Sequence, residues 1–332
     1  MPRILIFGAG GVGSFYAHLL TKVGADITVV CRSNYQAVKE HGIVLDSPKY
    51  GKGVRIRPGV VSSPVDAVGD WDLILVCSKA FPGMNPSVPQ LIKPAVGPKT
   101  AIALLQNGIH IEDEYQEAFP DNPIISCTIY LPVTEIYPGH VDHQEDLEIL
   151  ELGTFPSRPP IAHIQACLEF RNLIKTAGGE ATIYSDVQLR RWIKVAVNAA
   201  WNPVCALTLS SDSLFLSSSP YADRMIKDVM LEVVAVAQAQ GYSEINEGMV
   251  EEQLSRARNR VGSFGKEPSM LGDVRMGRRM EVEAIVGGVL KCAWEKKVPC
   301  PRLEVIYCLI KAVDESYART REIAASNNWT GS

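Results

Sequence analysis

Short apolar runs alternate with helix-spaced apolar positions in the N-terminal part of the chain. Residues 3–7 (RILIF) form a continuous apolar run before a glycine, which is typical of a strand buried on both faces. Apolar residues then recur at helical spacing over 11–23 and stop at Gly24, a suitable helix-ending residue. Further strands are predicted at 26–31, 73–77, 100–105 and 124–129. This alternation predicts an α/β fold with a parallel sheet covered by helices.

The predicted strands end near residue 185, and only helical patterns follow residue 186. Segments 140–143, 147–152 and 181–184 are interpreted as a shorter antiparallel extension of the sheet, and serine-rich 210–219 as a loop. Long helical patterns follow at 187–207, 221–239, 244–261, 280–296 and 302–325. We therefore expect a sheet domain over 1–185 and an all-helical domain over 186–332 that binds substrate and supports dimerisation.

Composition excludes several classes of partner. The net charge of −4 offers no basic surface for nucleic acid or anionic lipid, and no apolar run is long enough to cross a membrane. The cysteines form no CxxC pair, and the histidines show no metal-ligand spacing. We expect a soluble, cytoplasmic protein that acts on a small molecule and holds no metal.

A glycine-rich motif follows the first predicted strand and opens the first predicted helix. Gly8, Ala9, Gly10, Gly11, Val12 and Gly13 fit the pattern G-x-G-x-x-G. In a strand-turn-helix context such glycines allow a tight turn, close backbone approach to a pyrophosphate and close helix packing. The alternative is a glycine-rich turn without a ligand. The context favours a dinucleotide-binding Rossmann-type domain.

The end of the second strand indicates which dinucleotide binds. Where an NAD-binding domain carries an acidic residue for the ribose, this chain has Cys31-Arg32-Ser33. Arg32 is suited to a 2′-phosphate, which predicts NADPH, although a solvated strand-end arginine is the alternative. Lys79 follows another strand at the same sheet edge and is either a phosphate contact or an ordinary surface lysine.

Two sites carry polar side chains where catalysis could use them. Asn107 follows the strand at 100–105 and either points its amide into the crevice or forms an Asn-Gly turn. Lys194, Asn198 and Asn202 are spaced four residues apart in an otherwise apolar helix, so they form one polar stripe. Buried polar groups need hydrogen-bond partners and occur often at functional sites. The alternative is that the stripe is a polar seam between the two domains. Pro203 is expected to disturb the helix near Asn202.

Two later residues are weaker candidates. Ser269 is suited either to bind a substrate carboxylate or to cap a helix. Glu281 opens an apolar helix, where the helix dipole alone favours an acid.

With these residues together, the chain resembles the ketopantoate reductase (2-dehydropantoate 2-reductase) family over most of its length. The resemblance rests on the GAGGVG motif, Ser78-Lys79-Ala80, Leu105-Gln106-Asn107-Gly108, Pro138-Gly139-His140-Val141, the Lys194 helix, Ser269-Met270 with Asp273, and Glu281. The chain departs from the family at Val286, where asparagine is usual, and at Lys297, where glycine is usual.

The resemblance implies a function and a role for each candidate residue. It implies reduction of 2-dehydropantoate to pantoate in pantothenate biosynthesis, with NADPH as hydride donor and Lys194 as general acid. Asn107 would lie near the nicotinamide, and Glu281 in the polar network of the active site. Asn198, Asn202 and Ser269 would hold the substrate. The alternatives are a relative that reduces another branched or aromatic 2-oxo acid or ketone, and a non-catalytic NADP sensor.

Overall fold

The computed structural model describes the backbone of residues 1–329 and the side chains of residues 1–319. The described chain divides into two compact units. Unit 1 consists of Met1–Asn107 and Ile111–Arg190. Unit 2 consists of Gly108–His110 and the chain from Arg191 onward. The last three residues of the predicted 186–332 domain lie outside the described backbone.

Unit 1 contains all the strands of the described chain and five complete helices. The strands are β1 (Arg3–Phe7), β2 (Asp26–Val30), β3 (Ile43–Ser47), β4 (Gly51–Ile56), β5 (Gly59–Val61), β6 (Leu73–Val76), β7 (Ala101–Leu104), β8 (Ile124–Tyr130), β9 (Val133–Tyr137), β10 (His140–His143), β11 (Ile149–Phe155) and β12 (Ala181–Ile183). The helices are α1 (Gly11–Thr21), α2 (Tyr35–His41), α3 (Val88–Ile92), α4 (Asp113–Ala118) and α5 (Ile161–Thr176).

The main sheet confirms the predicted α/β fold. Its strand order is β12-β11-β8-β7-β6-β1-β2-β5, and the six strands from β8 to β5 are parallel. The central strands β6 and β7 are buried along their whole length, as expected for apolar runs covered on both faces. Beyond β8, β11 pairs antiparallel as predicted, but β12 pairs parallel with β11. Because β11 is itself antiparallel to β8, β12 also runs opposite to the six parallel strands, so the predicted antiparallel extension is confirmed for 147–152 and 181–184.

A second sheet of order β4-β3-β10-β9 corrects the prediction for 140–143. Strand β10 does not extend the main sheet; it pairs parallel with β3 and antiparallel with β9. Helix α1 contacts both sheets: its Phe15 ring lies 5.0 Å from the His143 ring of β10, while its other side packs on β1 and β2. Burial on both sides explains why every residue from Gly13 to Leu20 is buried.

The helical part of the chain begins with α6 and confirms the predicted all-helical region. Its helices are α6 (Val187–Thr208), α7 (Asp212–Ser218), α8 (Ala222–Ala239), α9 (Glu247–Arg258), α10 (Ser269–Arg275), α11 (Gly288–Lys296) and α12 (Pro301–Trp329), with a π-helical turn at Glu283–Gly287. No helix in the described part of the chain is both long and apolar enough to cross a membrane.

One local prediction in this region is wrong. The serine-rich segment 210–219 contains helix α7, because the Ser211 hydroxyl accepts a hydrogen bond from the Leu214 amide and caps the helix N-terminus. Pro203 lies inside α6 without ending it, and the helix continues to Thr208. Apolar burial of the surrounding turn outweighs the lost backbone hydrogen bond.

Candidate active site

The glycine-rich loop between β1 and α1 is held by two close backbone approaches. A methyl group on Gly13 would lie 2.0 Å from the Gly8 carbonyl oxygen, so only glycine allows α1 to pack this closely on the turn. Gly8 has φ +101°, and a methyl group there would lie 2.7 Å from the Ser78 nitrogen. The loop is therefore pressed against the carboxyl ends of β1 and β6.

The outer side of the same loop is open. A methyl group on Gly10 would meet no atom within 4 Å. The Ala9 carbonyl is turned inward, where it accepts hydrogen bonds from Ser14 Oγ at 3.1 Å and from Asn34 Nδ2 at 2.7 Å. The first turn of α1 follows, and its amides have no acceptor within the helix. This arrangement fits the pyrophosphate of a dinucleotide.

Arg32 lies just beyond the end of β2. Its side chain is exposed and makes no ion pair with any described residue. The strand end supplies no carboxylate of its own, so the guanidinium can take up an added phosphate. The residues present therefore fit NADPH.

The ends of β6 and β7 carry Lys79 and Asn107, both half-buried. Sequence reasoning missed Gln106, which joins these two strand ends: its Nε2 donates to the Ser78 carbonyl at 2.8 Å, and its Oε1 accepts from Tyr115 Oη at 3.1 Å. The Ser78 hydroxyl is buried without a hydrogen-bond partner among the described residues. A buried, unsatisfied donor at this edge adds a polar group that a ligand can satisfy.

The polar stripe of unit 2 lies on α6 as its spacing predicts. Lys194 and Asn198 are half-buried, and Asn202 is buried. Asn202 Oδ1 accepts hydrogen bonds from Ser269 Oγ and from the Met270 amide, each at 3.3 Å. The structure thus brings together two predicted substrate residues that are 67 positions apart in sequence.

Ser269 is the first residue of α10, but it does not cap the helix. The residue before α10 is Pro268, and no side chain there makes a capping hydrogen bond. The hydroxyl is directed to Asn202 instead. The helix-cap alternative therefore does not describe Ser269.

Glu281 is buried two residues before the start of the π-helical turn. Its carbonyl accepts the Ile285 amide at 3.0 Å, which starts the helix. Sequence reasoning missed Asp314 of α12, which binds the Met280 amide at 2.7 Å and Arg279 Nε at 2.8 Å. Asp314 therefore holds the two residues that precede Glu281 in the chain.

The π-helical turn also anchors the short segment Gly108–His110 of unit 2. The Ala284 carbonyl accepts the Ile109 amide at 3.0 Å, and the Gly108 carbonyl accepts Arg191 Nη1 at 3.0 Å. Val286, which stands where the family usually has asparagine, is fully buried in this turn. Lys297 ends α11 with φ +57°, a left-handed conformation that explains why glycine is usual there.

The chain matches one family over both of its sequence regions. Residues 4–157 match the family described as Ketopantoate reductase PanE/ApbA, and residues 186–314 match Ketopantoate reductase PanE/ApbA C terminal. An uncharacterised protein of Saccharomyces cerevisiae is 30% identical over 340 residues, covering 94% of each chain.

Two reductases of known name are similarly close. A 2-dehydropantoate 2-reductase of Nostoc sp. is 27% identical over 314 residues, covering 94% of this chain and 95% of the other. The crystal structure of 2-dehydropantoate 2-reductase from Methylococcus capsulatus is 33% identical with a TM-score of 0.80, covering 95% of this chain and 97% of that one.

Proposed function

We propose that this chain, which belongs to the ketopantoate reductase family, reduces the ketone of 2-dehydropantoate to the hydroxyl of pantoate with NADPH. The family is one of NADP-dependent oxidoreductases that act on CH–OH groups. The observation that carries the proposal is the stripe on α6, in which half-buried Lys194 is aligned with Asn198 and with Asn202, itself bound to Ser269.

Unit 1 supplies the cofactor site in this proposal. NADPH, when bound, provides the hydride that adds to the carbonyl carbon. The open side of the Gly8–Gly13 loop and the first amides of α1 hold the pyrophosphate. Arg32 binds the 2′-phosphate, and Lys79 assists phosphate recognition. Asn107 is assigned to the nicotinamide end, where its amide can both donate and accept.

Lys194 is the proposed general acid. Negative charge develops on the carbonyl oxygen as the carbon is reduced, and an ammonium group both stabilises that charge and donates the proton that completes the hydroxyl. The apolar residues beside it on α6 lower the local dielectric and strengthen this interaction. Glu281 is assigned to the surrounding polar network.

Asn198, Asn202 and Ser269 are the proposed substrate contacts. An amide N–H can donate to a carboxylate without adding a charge, which leaves Lys194 as the cation directed at the ketone. The single hydroxyl proton of Ser269 goes to Asn202 Oδ1, so Ser269 would donate to the substrate only on releasing Asn202. The pair formed by Asn202 and Ser269 holds both side chains in fixed positions before substrate binds. On this assignment the protein serves pantothenate biosynthesis in the cytoplasm, and we expect it to form homodimers.

One observation favours a second substrate. Val286 replaces the family's usual asparagine inside the π-helical turn, so a polar side chain is lost from a segment that begins two residues after Glu281. The second candidate function is therefore NADPH-dependent reduction of another branched or aromatic 2-oxo acid.

A substrate panel tests both candidates. The purified chain is assayed with NADPH against 2-dehydropantoate, other branched 2-oxo acids and aromatic 2-oxo acids, and kcat/KM is compared. We expect 2-dehydropantoate to lead by about tenfold or more, the discrimination that a few shaped apolar and polar contacts supply. A higher kcat/KM for an aromatic acid would select the second candidate, and no turnover of any 2-oxo acid would reject both.

A further inference from the structure

Glu135 of β9 brings a carboxylate to the end of β2 from the second sheet. Its Oε1 accepts a hydrogen bond from Asn34 Nδ2 at 2.8 Å and another from the Gly139 amide at 3.0 Å. Asn34 is buried and stands two residues after Arg32. Glu135 is therefore fixed beside the strand end that carries the proposed 2′-phosphate contact.

The same asparagine connects Glu135 to the glycine-rich loop. The two protons of its side-chain amide are shared between Glu135 Oε1 and the Ala9 carbonyl, which lies 2.7 Å from Asn34 Nδ2. With the Ala9 carbonyl held inward, the neighbouring backbone at Gly10 keeps its open side free. The bridge from Glu135 through Asn34 to Ala9 thus positions a part of the loop that any dinucleotide would use.

The charge of Glu135 is held by N–H groups rather than by a cation. It makes no ion pair with a described lysine, arginine or histidine. Burial, together with the nearby Glu135 carboxylate, raises the pKa of the Cys31 thiol at the end of β2 to about 12. The negative charge therefore acts on the end of β2.

A carboxylate in this place has opposite consequences for the two nicotinamide dinucleotides. Domains that bind NAD use an acid near the end of β2 for the ribose hydroxyl, and such a charge repels a 2′-phosphate. The carboxyl end of β2 has no acid between Ile27 and Asn34, but the second sheet supplies one. Arg32 favours the 2′-phosphate, while Glu135 opposes it by Coulomb repulsion at medium range.

We propose that Glu135 is a specificity-determining residue that limits the preference for NADPH over NADH set by Arg32, while Asn34 positions the loop for both. The inference rests on the proposed function, since it requires that the glycine-rich loop binds the dinucleotide. We expect substitution of Glu135 to change the ratio of the affinities for NADPH and NADH, and substitution of Asn34 to change both affinities by a similar factor. Neither result is expected if these residues only stabilise the fold.

Direct binding of NADPH and NADH to the full chain, followed by fluorescence titration, tests the role of Glu135. Glu135→Gln keeps an oxygen that can accept from Asn34 and Gly139 but removes the charge. We expect its Kd for NADPH to fall about threefold at low salt, with less change for NADH and a smaller effect at high salt.

The matched control is Asp142→Asn on β10. Asp142 pairs with Thr134, the neighbour of Glu135, so its side chain lies on the opposite face of the second sheet. The control removes the same charge and should leave both Kd values unchanged. If Glu135→Gln leaves the ratio unchanged, or if Asp142→Asn shifts it equally, Glu135 does not determine specificity.

Asn34→Ala tests the positioning role. The Ala9 carbonyl loses one of its two donors, and we expect the Kd values for NADPH and NADH to rise by a similar factor, about fivefold, the effect of one lost hydrogen bond. Unchanged affinities would overturn this part. If the unaltered protein binds neither nucleotide, the proposed function is wrong as well; if it binds both and the variants do not separate as stated, only this inference is wrong.

Discussion

The glycine-rich loop of unit 1 and the polar stripe of unit 2 prepare for ligands in opposite ways. The loop depends on glycines, which have no side chain: Gly13 lets the helix and the turn approach closely, and Gly10 leaves the outer side of the loop open. The stripe works through side chains that are present, since Asn202 is held by Ser269 and the Met270 amide. The effects of substitutions in the loop should therefore come mainly from steric overlap. The effects of substitutions in the stripe should come mainly from lost polar contacts.

The largest effect is expected at Lys194. Lys194→Ala should lower kcat for 2-oxo acid reduction about a thousandfold, within the range that a positioned general acid contributes. NADPH affinity should stay the same, because the glycine-rich loop is intact. The measurements are steady-state kinetics and nucleotide titration, with Lys291→Ala on the exposed side of α11 as the control. Undiminished turnover would show that the stripe is only a structural seam.

The next effect separates two glycines of the same loop. Gly13→Ala should lower the free energy of unfolding by about 3 kcal/mol, because the added methyl group overlaps the Gly8 carbonyl. Gly10→Ala should leave stability nearly unchanged but weaken NADPH binding, since the methyl group enters the open side. Urea unfolding and nucleotide titration check the pair. Equal stability losses would mean that the loop is not divided into a packed and an open side.

A smaller effect is expected at Arg32. Arg32→Ala should raise the Kd for NADPH about tenfold, the contribution of charge-assisted hydrogen bonds to a phosphate, and barely change the Kd for NADH. Arg158→Ala, which removes another exposed arginine of unit 1, is the control. Equal losses for both nucleotides would indicate structural damage instead of 2′-phosphate recognition.

The smallest effect is expected at Ser269. Ser269→Ala removes one of the two donors to Asn202 Oδ1 while the Met270 amide remains. We expect KM for the 2-oxo acid to rise about fivefold with a smaller change in kcat, since about one hydrogen bond is lost. If kcat falls and KM stays constant, Ser269 acts on the reaction step rather than on substrate binding.

Most strands of the main sheet were predictable because they are short, largely buried apolar runs with clear boundaries, whereas the partly exposed edge strand β5 was not predicted. The second sheet was not, because β4 consists largely of exposed and glycine residues. Strand β10 was found, but its partner β3 lies about a hundred residues earlier in the chain, and pairing over that separation leaves no local signal. Helix α7 was missed because serines were interpreted as loop residues although Ser211 is a helix cap.

The candidate site was likewise predictable only in part. Spacing alone placed Lys194, Asn198 and Asn202 on one helix, but it could not show that Ser269 binds Asn202. Asn34 and Glu135 were missed because each is ordinary in its own segment, and their contact joins residues 101 positions apart. The assigned roles of all these residues stay predictions until the variants are measured.

The π-helical turn at Glu283–Gly287 constrains how this segment can change during evolution. A π-helical turn holds one residue more than an α-helical turn, so deleting one residue would rotate the chain before it by about 100° relative to α11. Ile109 is bound by the Ala284 carbonyl and packs against Gly288, and a rotation would separate these two contacts. The segment can therefore exchange residue types, as Val286 illustrates, but insertions and deletions should be absent from it among relatives that keep Glu281.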